Sequence, residues 1–200
     1  RYDRVQLDSL KIPPFISRCQ THVFFLVGEI ILLMGILENK KRARIFYKYL
    51  SKIYDKINPF FWTISMRESA IDLFDINPTD KILDVGCGTG FGTEGLLERA
   101  TNVYGIDQSV HQLNKAREKF STPSSIPLYI GDAENLPFFD DAFDAVWSSG
   151  SIEYWPNPIE TLSEIRRIVK PSGKVLLVGP KKPKGLFART IATSLMLFYT

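Results

Sequence analysis

The stretch Ile82-Leu83-Asp84-Val85-Gly86-Cys87-Gly88-Thr89-Gly90-Phe91-Gly92 decides the fold of this chain. A short apolar strand ends in an acidic residue, and glycines follow at every second position. Residues without a Cβ turn tightly and leave the backbone uncovered, so N–H groups of such a loop can approach a ligand closely. A second apolar run, Asn102-Val103-Tyr104-Gly105-Ile106, is closed by Asp107, whose carboxylate suits the two hydroxyls of a ribose. A glycine loop with an acidic residue one strand–helix–strand unit later describes a nucleoside-binding site.

The spacing narrows the nucleoside. A dinucleotide loop needs a third glycine three positions after the second, where helix and strand pack around a pyrophosphate. Gly86 and Gly88 fit that pattern, but Phe91 holds the third position and Asp84 precedes the loop. A carboxylate disfavours a pyrophosphate and favours a cationic or amino-bearing ligand. The pattern resembles the first motif of the class I S-adenosylmethionine-dependent methyltransferases. The fold class expected is therefore α/β, a Rossmann-like sheet with helices on both faces.

Composition agrees with one globular domain. The 200 residues are 44% hydrophobic, and the net charge of +3 gives no nucleic-acid signature. Cys19 and Cys87 are too few for a disulfide framework, and with His22 and His111 they form no metal-ligand cluster. Cys87 lies where the loop needs a small side chain, and a reduced, intracellular protein is expected. Residues 1–33 form an extension of open status. The apolar stretch Val23 to Leu37 contains Glu29 and, at fifteen residues, falls short of the roughly 20 a spanning helix requires. It reads as a membrane anchor, as an ordinary buried helix, or as sequence upstream of a true start at Met34.

From Met34 onward the chain is regular. Residues 34–76 read as an N-terminal helical cap, with helices at 38–57 and near 63–75, and 77–200 as the methyltransferase-like core. A turn at Asn77-Pro78-Thr79-Asp80 opens an alternation: strand 81–85, helix 91–100, strand 102–106, helix 109–119, strand 127–130, strand 143–148, helix 158–169, strand 174–178. Short continuous apolar strands suit a parallel sheet covered on both faces. Lys170-Pro171-Ser172-Gly173 reads as a helix stop and turn. The resemblance implies two more strands than these five, so C-terminal strands are expected beyond this sequence.

Further segments join the glycine loop at the carboxyl edge of the sheet, where open α/β proteins hold their ligands. Asp107-Gln108-Ser109 ends one strand, and Ser109 can cap the next helix. Gly131-Asp132-Ala133-Glu134-Asn135 follows another; there Asp132 can accept the adenine amino hydrogens while a backbone N–H near Ala133 meets a ring nitrogen. Both acidic positions also suit plain turn chemistry.

A narrower resemblance runs through Glu38-Asn39-Lys40-Lys41-Arg42, Phe46-Tyr47, Tyr54-Asp55, Asn58-Pro59, His111-Gln112-Leu113 and, most specifically, Gly150-Ser151-Ile152-Glu153-Tyr154-Trp155. Together these segments, spanning roughly 34–199, are similar to the 2-methyl-6-phytyl-1,4-hydroquinone methyltransferases of plastoquinone and tocopherol synthesis and their prokaryotic relatives. The resemblance implies S-adenosylmethionine as cofactor, and cofactor contacts at Asp84, Gly86, Cys87, Gly88 and Gly90. Asp107, Gln108, Asp132, Ala133 and Ser148 extend that set, and Tyr54 would cover the cofactor or sit on the apolar face of its own helix. The chain departs from the plant members in Cys87 and in lacking a recognisable plastid transit peptide. The expected place of action is therefore cytoplasmic and peripheral to a membrane, or a plastid membrane if a transit peptide precedes this sequence.

Methylating an aromatic carbon needs an electron-rich ring, which a quinol supplies when a ring hydroxyl loses its proton to a nearby base. Glu153 is the candidate base, with Tyr154 as orienting group; the alternative is a solvated loop carboxylate. Tyr154 and Trp155 either stack on the ring or fill core, and His111 reads as a surface residue. Lys40, Arg44, Lys48, Lys52 and Lys56 recur every four residues opposite Ile45, Tyr49, Ile53 and Ile57. Such a basic amphipathic helix suits an anionic lipid surface, each cation contributing about 1 kcal/mol there, or a solvated face over a packed one. The expected substrate is a prenylated quinol of phytylbenzoquinol or demethylmenaquinol type. A small-molecule O- or N-methyltransferase and a catalytically silent cofactor-binding module remain open, because fold does not fix the acceptor.

Overall fold

The computed structural model describes residues 22–26, 63–121 and 126–179. The strands are β1 (His22–Leu26), β2 (Lys81–Val85), β3 (Asn102–Asp107), β4 (Leu128–Ile130), β5 (Phe143–Ser149) and β6 (Val169–Val178). The helices are α1 (Ile64–Phe74), α2 (Phe91–Leu97), α3 (Val110–Lys119) and α4 (Pro158–Ile168), with one 3-10 turn at Ile152–Tyr154. The sheet runs β1-β6-β5-β2-β3-β4 with every pairing parallel. The α/β class read from the sequence therefore holds.

Helix ends follow local chemistry. The Thr63 hydroxyl accepts the Met66 N–H at 3.2 Å to open α1. Ser109 plays the same part for α3 and Asn157 for α4, where Pro158 occupies the first helical position and Glu160 the first turn. Neighbouring strand residues then feed two separate cores. Leu83, Val146 and Leu177 pack with Ile165 and Ile168 of α4 on one face. Ile82, Ala145 and Leu176 pack with Ala70, Ile71 and Phe74 of α1 and Leu96 of α2 on the other. Alternation on a two-sided sheet explains why these strands read as continuous apolar runs.

Three features depart from the sequence reading. The helix expected over 91–100 ends at Leu97. The strand expected over 174–178 begins at Val169, which pairs with Phe143, while Lys174 pairs with Ala145. Lys170–Gly173 thus stands opposite Asp144 alone, as a bulge rather than a connection between elements. Asp144 holds it, accepting Lys170 Nζ at 2.5 Å and the Lys81 N–H at 2.9 Å. Finally, β1 was not anticipated; it lies parallel to β6, with His22 against Lys174 and Leu26 against Val178. His22-Val23-Phe24-Phe25-Leu26 is a fair strand sequence, but the apolar run continues to Leu37 and its length hid the strand. The helix read over 38–57 and the segment 180–200 lie outside the described residues.

Candidate active site

Because every strand is parallel, the ends of β2, β3, β4 and β5 lie along one edge, and that edge gathers Asp84, Asp107, Asp132, Ser148 and Ser149. The glycine loop crosses it between β2 and α2. Gly86 sits at φ +74°, and a Cβ there would come within 2.5 Å of the Ser151 Cβ. Gly88, at φ +56°, faces the Gln112 side chain, whose Oε1 lies 2.6 Å from where a Cβ would stand. Gly86 excludes other residues on two grounds, conformation and space, whereas at Gly88 the left-handed backbone alone does so, since the Gln112 amide is the far end of a flexible side chain.

The loop N–H groups are not turned toward a ligand as the sequence suggested. Gly86 and Cys87 donate to the Ile106 carbonyl at 2.8 and 3.1 Å, and Gly90 donates to the Cys87 carbonyl at 2.9 Å. Gly88 donates to Asp107 Oδ2 at 2.9 Å. The loop is stitched to β3, and its glycines provide shape rather than free donors. Cys87 likewise points into the fold: it is buried, and its Sγ would lie 2.9 Å from a Cβ on Gly105. Burial, and then the Asp84 and Asp107 carboxylates, push its thiol pKa up, so it is no thiolate nucleophile.

Asp84 is 1% exposed and accepts the Thr93 hydroxyl at 2.7 Å. Burial raises its pKa to about 7; the Thr93 hydrogen bond opposes that rise and the Asp107 charge adds to it. No cationic side chain pairs with Asp84 among the described residues. Gly92, Trp147 Nε1 and Ser149 Oγ surround it, the indole donating to that hydroxyl at 3.2 Å. A buried carboxylate with a second carboxylate nearby and no counter-charge suits a cation. The residues therefore fit the sulfonium and ammonium groups of S-adenosylmethionine.

Asp107 is half-buried and accepts one N–H on each oxygen, Gly88 on Oδ2 and Ser109 on Oδ1 at 2.7 Å. Burial raises its pKa, and those two donors hold the rise back. Each oxygen keeps acceptor capacity for a hydroxyl. Gln108 beside it is half-exposed, and His111 is exposed, as a surface residue should be.

Asp132 closes an Asx turn, its Oδ1 accepting the Glu134 N–H at 3.1 Å. Ala133 leans against the core under β3 and β5. This loop is held from α4: Arg167 donates to the carbonyls of Leu136 and Phe138 at 2.9 and 2.7 Å, and Glu164 accepts the Leu136 N–H at 2.8 Å. Glu134 in turn accepts the Asn157 N–H at 2.9 Å, tying the loop to the segment after the 3-10 turn.

Ser148 departs from its expected part as a cofactor contact. Its hydroxyl is buried, donates to the Val85 carbonyl at 2.8 Å and meets Ser151 Oγ at 2.5 Å. Ser148 supports the glycine loop from behind. Trp155 is 9% exposed within the core cluster, which settles it as core filling. Tyr154 is half-buried in the 3-10 turn, its N–H bonded to the Ser151 carbonyl at 2.9 Å. The Glu153 side chain and Tyr54 lie outside the described residues. Thr93 escaped the sequence reading, and Ser151 and Gln112 entered it only within longer motifs and without a part of their own, since their importance comes from neighbours distant along the chain.

A parallel sheet with this order, a glycine loop after the second strand and acidic groups at successive strand ends define a class I S-adenosylmethionine-dependent methyltransferase domain. Residues 83–177 match the methyltransferase domain family. Over 166 residues the chain is 43% identical to 2-methyl-6-phytyl-1,4-hydroquinone methyltransferase 2, chloroplastic, of Oryza sativa subsp. japonica, covering 81% of this chain and 47% of that protein. It is 30% identical over 150 residues to the demethylmenaquinone methyltransferase of Staphylococcus epidermidis, covering 72% and 62%. A solved S-adenosylmethionine-dependent methyltransferase structure from Aquifex aeolicus superposes with a TM-score of 0.56 at 20% identity, covering 76% of this chain and 86% of that one, a likeness of fold. The chain spans about half the length of the plant relatives it matches. S-Adenosylmethionine is the methyl donor of this domain class.

Proposed function

We propose that this protein methylates a ring carbon of a prenylated quinol. The observation that carries the reading is the 43% identity to the plant hydroquinone methyltransferases, which extends over 81% of this chain. The demethylmenaquinone methyltransferase relative supports the same acceptor chemistry, a hydroxylated ring with a long apolar tail.

S-Adenosylmethionine supplies a methyl group already activated on a positively charged sulfur, so the protein's task is mainly to position and to stabilise charge. Asp107 takes the ribose hydroxyls, Asp132 the adenine amino group and the Ala133 N–H a ring nitrogen. Asp84 offsets the positive charge. Gly86, Cys87, Gly88, Gly90 and Gln108 shape the wall against which the nucleoside rests, with Ser148 bracing that wall through Val85. Glu153 removes a proton from a ring hydroxyl, which raises electron density at the carbon to be methylated, and Tyr154 orients the ring. Tyr54 covers the cofactor.

The prenyl tail implies that substrate is collected at a lipid surface. The basic and apolar halves of residues 40–57 support peripheral contact with an anionic membrane. No helix of the described residues is long and apolar enough to cross one.

The test incubates the protein with methyl-labelled cofactor and a panel of benzoquinols and naphthoquinols with and without prenyl tails. Label on a ring carbon is expected. Label on oxygen or nitrogen would move the reading to a small-molecule methyltransferase, and binding without transfer would make the domain a silent cofactor-binding module.

A further inference from the structure

Ser151 follows the end of β5 and opens the 3-10 turn Ile152–Tyr154, its carbonyl accepting the Tyr154 N–H at 2.9 Å. A serine in front of a helical turn commonly caps it with the hydroxyl. No such bond forms here. The hydroxyl turns the other way: Oγ lies 3.3 Å from the Val85 carbonyl and 2.5 Å from Ser148 Oγ, which bonds the same carbonyl at 2.8 Å. Val85 ends β2 and leads straight into the glycine loop. The Ser151 Cβ also stands 2.5 Å from where a Cβ on Gly86 would be. The turn that carries Glu153 and Tyr154 is therefore seated directly on the first glycine of the loop.

The rest of that segment is held by other bonds. Gly150 donates to the Val178 carbonyl at 2.8 Å, and Asn157 donates to Glu134 at 2.9 Å. Nor does the Ser151 hydroxyl rescue a buried group, since Ser148 still serves the Val85 carbonyl without it. What the hydroxyl adds is registration of the turn against the loop. Methyl transfer needs its reacting atoms about 3–3.5 Å apart, and a misplacement of about 1 Å costs about a hundredfold in rate.

We infer that Ser151 is a positioning residue: its hydroxyl registers the Ile152–Tyr154 turn against the glycine loop, so that filling the nucleoside site also orders the turn facing the methyl acceptor. This rests on the quinol methyltransferase reading above and adds to it a link between the two sites.

The test compares the full chain with Ser151→Ala. The variant should melt within about 3 °C of the parent and bind S-adenosylhomocysteine within about twofold by calorimetry, because the bonds that secure the fold and the loop remain. With the quinol that the parent methylates, kcat should fall roughly tenfold or more while the KM for S-adenosylmethionine stays within about twofold. Hydrogen exchange gives a readout independent of turnover. Saturating S-adenosylhomocysteine should slow exchange of the Ile152–Trp155 amides about threefold or more in the parent and leave them unchanged in the variant. Parental kcat in Ser151→Ala overturns the inference, as does a ligand-dependent slowing that survives the substitution. A variant that does not fold, or that loses S-adenosylhomocysteine affinity as steeply as kcat, makes the hydroxyl structural and overturns it too. A parent that binds S-adenosylhomocysteine but methylates no quinol overturns the acceptor reading alone, and the exchange comparison still decides the link.

Discussion

The Asp84 carboxylate and the Thr93 hydroxyl share a hydrogen bond of 2.7 Å that joins the end of β2 to the first turn of α2, with neither side chain open to solvent. This bond is the main local support for a charge that burial otherwise disfavours. With the Asp84 pKa raised from 3.8 to about 7, the folded state holds its proton more tightly than the unfolded chain does. The associated stability is fully present below about pH 4 and is lost as pH rises through about 7, a span worth on the order of 4 kcal/mol at its upper limit. Burial raises Asp107 in the same direction. Glu164, lowered chiefly by its bond to Arg167, acts oppositely and only at acid pH. Urea unfolding of the ligand-free protein should therefore show lower stability at pH 8 than at pH 5. Asp84→Asn should flatten that slope, and Thr93→Val should steepen it by removing the donor that favours the ionised form. A pH-independent difference between parent and Asp84→Asn would contradict this assignment.

Gly86 and Ser151 are bound by a steric relation with its own test. Gly86→Ala meets two obstacles, a left-handed backbone and a Ser151 Cβ only 2.5 Å from the new methyl group. A loss of about 2–4 kcal/mol is expected from strain and overlap together. Adding Ser151→Gly removes the overlap and leaves the backbone strain, so the double variant should recover part of the loss and not all. Thermal melts of the four proteins in the cycle measure that coupling. Strict additivity would show that Ser151 moves aside freely.

Arg67 on α1 is 3% exposed and clamps α2 by several bonds at once. It donates to the Phe91 carbonyl and to Glu94 Oε2, both at 3.0 Å, and pairs with Glu68 at 2.8 Å, its guanidinium stacked 4.8 Å from the Phe91 ring centroid. A lysine keeps the charge but has no planar fork to serve these partners together. Arg67→Lys is expected to lower stability by about 1–3 kcal/mol in guanidinium unfolding. Recovery of parental stability by lysine would mean that charge alone matters.

How much of this was legible in the sequence depended on the distance over which each residue acts. Asp84, the alternating glycines and Asp107 report a local strand–loop–strand pattern, and that pattern placed β2 and β3 correctly to within a residue. Caps such as Ser109 and Asn157 are equally local, so α4 began where read and α3 one residue later, at Val110. Val169 and Lys174 are different: the sequence shows a proline and a glycine between them, and only the partner strand reveals a bulge. The buried parts of Thr93, Ser151 and Arg67 depend on Asp84, Gly86 and Glu94, and no spacing rule announces such meetings. Ser148 was read by position at a strand end, but position does not say that its hydroxyl turns inward to Val85.

Arg167 gives the last prediction, because it links α4 to the loop that carries Asp132. Its guanidinium holds the Leu136 and Phe138 carbonyls, Asp140 at 2.9 Å and Glu164 at 2.8 Å, all without touching the glycine loop. Removing it leaves two carbonyls and the Glu164 carboxylate in need of water, and the loop loses its anchor from below. Arg167→Leu should cost about 1–3 kcal/mol of stability. It should also weaken S-adenosylhomocysteine binding several-fold, through a faster off-rate and with little change in on-rate, since a loosened loop releases the adenine end sooner. Stopped-flow displacement reads the two rates directly. Unchanged release kinetics in a destabilised variant would show that the α4 anchor serves folding and leaves the nucleoside site untouched.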